Sequence, residues 1–135
     1  MPQPPFFLGS LYVALGGGLG SWLRFLVGRA WTGAIGPVRA SAFPWATLTV
    51  NFVGSILMGL ICGWLARTGS HGEGTRLFLA VGVMGGFTTF SAFSLEIVLM
   101  AQRGQANLSM FYAGLSILLG IVGLVTGLSL ARSVA

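Results

Sequence analysis

Residues Gly85 to Ser94 read GGFTTFSAFS. Two adjacent glycines followed by two adjacent threonines make a poor helix centre, because glycine loses the most backbone entropy and β-branched threonine crowds the preceding turn. Yet the surrounding stretch, from about Thr75 to Met100, is apolar and longer than a bilayer crossing requires. The pattern predicts a membrane-spanning helix broken near its middle. A break frees backbone C=O and N–H groups, and within a membrane these must find partners in protein or line a cavity. Freed carbonyls aimed at one point suit a hard cation, and freed N–H groups favour an anion. The other reading of Gly85 and Gly86 is a close helix crossing with no break.

Three further apolar segments flank this one, at about Phe6 to Val27, Pro44 to Ala66 and Leu108 to Leu130. Pro44 suits a first helical turn, and Trp22, Trp45 and Trp64 fall near segment ends, where indoles anchor at the headgroups. Gly33, Gly36 and Pro37 mark a loop between Arg29 and Phe43, and Arg67 to Gly74 is a second, polar loop. Gly120, Gly123 and Gly127 on the last segment read as close-packing positions, as do the other glycines apart from Gly85 and Gly86. The expected fold is an all-α membrane protein, one domain over residues 1–135 with four spans.

Composition excludes a soluble fold. The chain is 55% hydrophobic and 7% charged, with a mean hydropathy of +0.90, where a soluble domain carries about 25% charged residues. The net charge of +5 comes from arginines scattered singly between apolar runs, so they read as membrane-flanking charges and not as a nucleic-acid surface. The single cysteine, Cys62, can form no internal disulfide and reads as a small buried hydrophobe. No basic residue precedes Arg24, so the first apolar stretch is expected to be a span and not a cleaved leader.

Four crossings place Arg67, Arg76 and Arg132 on one side and Arg29, Arg39 and Arg103 on the other, with Arg24 just inside the membrane. The positive-inside rule needs an imbalance to fix orientation, and this sequence supplies almost none. Both a single orientation and insertion in two orientations stay open. The second would let two copies pair antiparallel about an axis in the membrane plane.

Polar groups within the spans are the candidate functional residues, because they are costly in hydrocarbon. Asn51 lies mid-span with Thr47 one turn before it, offering amide donors to a ligand or gluing helices together. Phe90 and Phe93 share a helix face; such a pair ordinarily faces lipid or packs in a core, but an aromatic edge is electropositive enough to meet an anion, and Ser91 and Ser94 stand beside them. Glu96 is expected at a vestibule, paired with an arginine such as Arg24. Tyr112 and Ser116 lie one turn apart on the last segment and can donate toward a shared groove, but on their own packing explains them better. His71 falls in a loop, and no nucleophile–base set, phosphate loop or metal-ligand cluster is present, so an enzyme is not expected.

The segment GGFTTFSAFSLE, Gly85 to Glu96, resembles the third-helix signature of the Fluc/CrcB family of fluoride channels. PWATLTVN, Pro44 to Asn51, is similar to that family's second-helix motif, and GSWLRF, Gly20 to Phe25, to its first. The resemblance implies an antiparallel dual-topology homodimer in the inner membrane, with two pores that release fluoride passively from the cytoplasm. It implies a structural, untransported Na⁺ at the dimer centre, held by the backbone carbonyls of Gly85 and Thr88. It also implies a fluoride path along Asn51, Phe90 and Phe93, extended by Thr47, Ser91, Tyr112 and Ser116, with Arg24 and Glu96 at the vestibule. Ala92 departs from the pattern, since relatives often carry Ser or Thr there. Two other functions fit the size and charge balance: a small dual-topology exporter driven by protons on Glu96, and a membrane assembly subunit that transports nothing.

Overall fold

The structure is a computed structural model that describes residues 4–68 and 72–133. Those residues are helical throughout apart from short connections, and four of the helical segments are long and apolar enough to cross a membrane. The protein is a multi-pass membrane protein. His71 and part of the polar loop expected around it lie outside the described residues.

Helix α1 spans Phe6–Ile35 and runs well past the end expected near Val27. Tertiary contacts hold its last two turns. The Trp31 indole N–H donates to the Thr49 hydroxyl at 3.0 Å, and the Trp31 ring stacks on Trp45 at 5.5 Å. Gly36 then ends the helix at φ 81°, a left-handed conformation that glycine tolerates, and its N–H donates to the Thr32 carbonyl. The stretch expected to be an open loop instead holds a short helix, α2 (Pro37–Ala42), with proline in its first turn. Helix α3 spans Trp45–Thr68.

The third span covers Glu73–Gln102 and has several parts. A helical turn, α4 (Glu73–Arg76), leads into a π-helical stretch, Leu77–Met84, and a single turn, α5 (Gly85–Phe87). Thr88 is extended, with φ −82° and ψ 163°, and helix α6 runs over Ser91–Gln102. Gly104, at φ 77°, closes α6: its N–H reaches Ala101 O, and the Gln105 N–H reaches Met100 O, a Schellman-type end. Helix α7 spans Ala106–Ser133.

The two halves of the third span pack on different neighbours. The π-helical stretch and α5 lie on α1, whereas α6 lies on α7, and α3 packs along α7. Lipid offers no hydrophobic drive between helices, so small residues that let backbones approach supply the contact. A Cβ at Gly20 would overlap the Val83 carbonyl, and one at Gly16 would lie 2.5 Å from Phe78 O. Between α3 and α7, a Cβ at Gly59 would overlap Leu124 O, and one at Gly127 would overlap Ile56 O. Gly86 joins the first seam, its α-carbon facing the Gly17 backbone, so it is a close-crossing glycine after all. Gly85 differs, with nothing near the space a Cβ would take.

Burial separates into two clusters. Val50, Val83, Met84 and Phe87 pack below the break, and Phe93, Met100 and Tyr112 above it. The outer surface is apolar, with Phe6, Phe7, Phe25, Ile117, Leu118 and Ile121 exposed, as a lipid-facing surface requires. Cys62 is on that surface and is not the buried hydrophobe expected.

Candidate functional site

The site is built around the interruption at Thr88–Phe90. Asn51, in the second turn of α3, reaches it with both ends of its amide. Its Nδ2 donates to the Thr89 carbonyl at 3.0 Å, and its Oδ1 accepts from the Thr89 N–H at 2.8 Å. A side-chain amide presents a donor and an acceptor side by side, so it can take the N–H and the C=O of a single residue together. One of the two donors expected of Asn51 is therefore spent on backbone, and the second Nδ2 hydrogen remains. Ser55, which sequence reasoning missed, donates to the Asn51 carbonyl one turn later at 2.7 Å.

In an uninterrupted helix the Thr89 N–H would close on Gly85 O, and the Ala92 N–H on Thr88 O. Here the first goes to Asn51, and the second to the Thr89 hydroxyl at 3.2 Å. The Gly85 and Thr88 carbonyls are thus released from their helical donors. The Thr88 hydroxyl is not released, because it donates back to Met84 O at 2.9 Å. Oxygen donors of this kind fit a hard cation such as Na⁺, and the residues present are compatible with one held by backbone alone. Among the described residues no three His, Cys, Asp or Glu gather into an alternative metal site.

Beside the break lies a groove of about 420 Å³ whose walls include Asn51, Ser55, Thr88, Phe90, Phe93 and Ser116. The rings of Phe90 and Phe93 are 5.8 Å apart, but their settings differ: Phe93 is buried, whereas Phe90 is 79% exposed on this single chain. Ser116 Oγ is buried at the groove without a hydrogen-bond partner among the described residues. An unpaired buried hydroxyl beside a spare amide N–H offers donors to an anion. Ser91 is exposed, its hydroxyl 3.4 Å from that of Thr89, and it does not line the groove.

Above the groove the polar residues form a closed set. The Thr47 hydroxyl donates to Glu96 Oε1 at 2.6 Å, and the fully buried Tyr112 donates to Glu96 Oε2 at 2.7 Å. Tyr112 also contacts the Phe93 ring at 5.4 Å and the Phe43 ring, edge-on, at 5.5 Å. The pairing of Glu96 with Arg24 expected from sequence is not found: two hydroxyls take its carboxylate, and the ion pair among the described residues is Arg76–Glu73. Arg24 stays on α1, partly buried and apart from this network. Tyr112 proves to be more than packing, since its hydroxyl is one of the two that hold the acid. Glu96 also borders a small recess of about 160 Å³ lined by Phe43, Pro44, Met100 and Arg103. Arg103 was not among the expected site residues, although its place in a turn between two spans puts a charge at one end of the bundle.

A family model described as CrcB-like protein, Camphor Resistance (CrcB), matches residues 11–128. The chain belongs to the CrcB-like family. It is 55% identical over 124 residues to a protein of Novosphingobium aromaticivorans named fluoride-specific ion channel FluC, a match covering 92% of this chain and 96% of that one. Proteins of the same name from Erythrobacter litoralis and Caulobacter vibrioides are 47% and 46% identical, over 96% and 92% of this chain and 95% of each relative. These relatives are named as channels, and this CrcB-like chain is not an enzyme.

Proposed function

We propose that this chain is a fluoride channel giving passive export of fluoride from the cytoplasm across the inner membrane. It acts as an antiparallel dual-topology homodimer with a structural sodium ion at the centre. The observation that carries the proposal is the Asn51–Thr89 pairing, which holds a span open at mid-membrane beside a groove of donors and ring edges. The names of the relatives supply the ion.

The chemistry is consistent with that ion. Fluoride is small and strongly hydrated, so a pore must replace its water with many partners, none holding it too tightly. The spare Asn51 N–H, the Ser116 hydroxyl and the Phe93 edge provide such partners without a fixed positive charge. Thr47 and Tyr112 direct their hydroxyls at Glu96, and an anion passing there would take the place of one carboxylate oxygen as their acceptor. The bound sodium would add a buried positive field, with the Gly85 and Thr88 carbonyls of both copies holding it. Gly85, Phe90 and Ser91 are exposed on one chain, on the face that the second copy would cover.

Purified protein in liposomes tests this. Fluoride trapped inside should leave rapidly once a potassium ionophore shunts the charge, with no pH gradient, while chloride stays. Efflux that depends on a proton gradient would favour the exporter, and no efflux would leave only the assembly role.

A further inference from the structure

Thr89 is not among the groups expected to meet an ion, yet it makes more contacts at the interruption than any of them. Its N–H and C=O are both taken by Asn51, and its Oγ1 accepts the Ala92 N–H at 3.2 Å while lying 3.4 Å from Ser91 Oγ. Phe90, which opens the second half of the span, already has helical dihedrals, φ −93° and ψ −33°, so the Thr89 hydroxyl caps it from one residue before, taking the N–H three residues on, that of Ala92. A threonine oxygen on the third N–H is the usual capping geometry. What differs here is the donor that the cap removes. The Ala92 N–H is the group that would close on the Thr88 carbonyl if the helix were continuous.

We propose that Thr89 is the positioning residue of the central cation site: its hydroxyl holds the Ala92 N–H and so keeps the Thr88 carbonyl available as a ligand. This rests on the sodium reading given above. The division of labour follows from the bonds. Asn51 withdraws the Thr89 N–H from Gly85 O, and the Thr89 hydroxyl withdraws the Ala92 N–H from Thr88 O. Each released carbonyl has its own device. The Asn51 device uses only main-chain atoms of Thr89, so a side-chain change there alters the second device alone.

Thr89→Val tests the assignment, because valine keeps the shape and both main-chain bonds to Asn51 while deleting the acceptor. Thr89→Ser keeps the acceptor. The full chain, purified in detergent, is melted across a Na⁺ series with N-methylglucamine as the replacing cation, and fluoride efflux is recorded over the same series. The wild type should be stabilised as Na⁺ rises. Thr89→Val should need about tenfold more Na⁺ to reach half the stabilisation, the fold-change equivalent of one lost cap, and Thr89→Ser should stay within about twofold of wild type. If Thr89→Val does not fold, Thr89→Ala is read by the same criterion. A wild type whose melting ignores Na⁺ overturns the cation reading itself. A Na⁺-responsive wild type with an unshifted valine variant, or a serine variant shifted as far as valine, overturns the role of Thr89 alone.

Discussion

At Glu96 a single carboxylate decides between two kinds of transport. It is the one acid within the upper part of the third span, and both of its oxygens are held by hydroxyls, from Thr47 at 2.6 Å and Tyr112 at 2.7 Å. A proton carrier must gain and lose a proton during each cycle, so Glu96→Gln would stop it. In a channel the same change is mild for a structural reason. Glutamine keeps one acceptor for one hydroxyl, and its NH₂ can donate to the oxygen of the other, because hydroxyls both give and accept. Both contacts are kept, and the one hydroxyl hydrogen turned away from the glutamine is the only donor that must find a new acceptor. Glu96→Gln should therefore retain fluoride efflux within about threefold of wild type, less than 1 kcal/mol on the barrier. A complete loss in liposomes, with the protein still folded, would point to the exporter.

The third span is where helix-scale reasoning is tested, through two adjacent glycines with opposite surroundings. A methyl group on Gly86 would run into the Gly17 backbone of α1, whereas Gly85 faces open space on the single chain. Gly86→Ala should lower stability by about 1–3 kcal/mol through overpacking, read as a lower melting temperature in detergent. Gly85→Val should leave each chain folded but disrupt pairing and efflux, read by cross-linking and by flux. A Gly85→Val protein that still dimerises and conducts would remove this face from the interface. Sequence made the four spans legible because long apolar runs have few alternatives in composition. It also named Asn51, Phe93 and Tyr112, which the structure brings together around the interruption and the Glu96 network. It did not show that α1 continues to Ile35, since a tail holding Arg29 and Gly33 is kept helical by the Trp31 contacts with Thr49 and Trp45. Nor did it show what Asn51 and Glu96 bond to. Those partners lie 38 and 49 residues away for Thr89 and Thr47, and hydrogen-bond chemistry fixes what a group needs but not which distant group supplies it. Thr89 was readable in principle, as a threonine just before a resuming helix.

Across the whole molecule the arginines balance in number but not in use. At one end Arg67 donates to the Ala131 carbonyl, capping α7, and Arg76 pairs with Glu73 at 2.5 Å. At the other, Arg29, Arg39 and Arg103 are exposed and make no ion pair among the described residues. Counting charges therefore understates the asymmetry: one end of the bundle presents three unpaired arginines, whereas at the other two of the three are engaged and Arg132 alone stays exposed and unpaired among the described residues. Arg103 stands at the recess that leads to Glu96, so this end should gather anions before they reach the hydroxyls. In an antiparallel pair each membrane face would carry one such mouth, and capture would work from both sides. Steering of this kind weakens with salt, since the Debye length falls from about 30 Å at 0.01 M ionic strength to about 3 Å at 1 M. Arg103→Gln should slow fluoride efflux about two- to fivefold at the lower ionic strength and leave it nearly unchanged at the higher, as expected for one lost steering charge. Arg76→Gln, at the opposite end and already neutralised by Glu73, should alter efflux at neither. An Arg103→Gln deficit of the same size at both salt levels would mean that the arginine shapes the recess and does not attract through space.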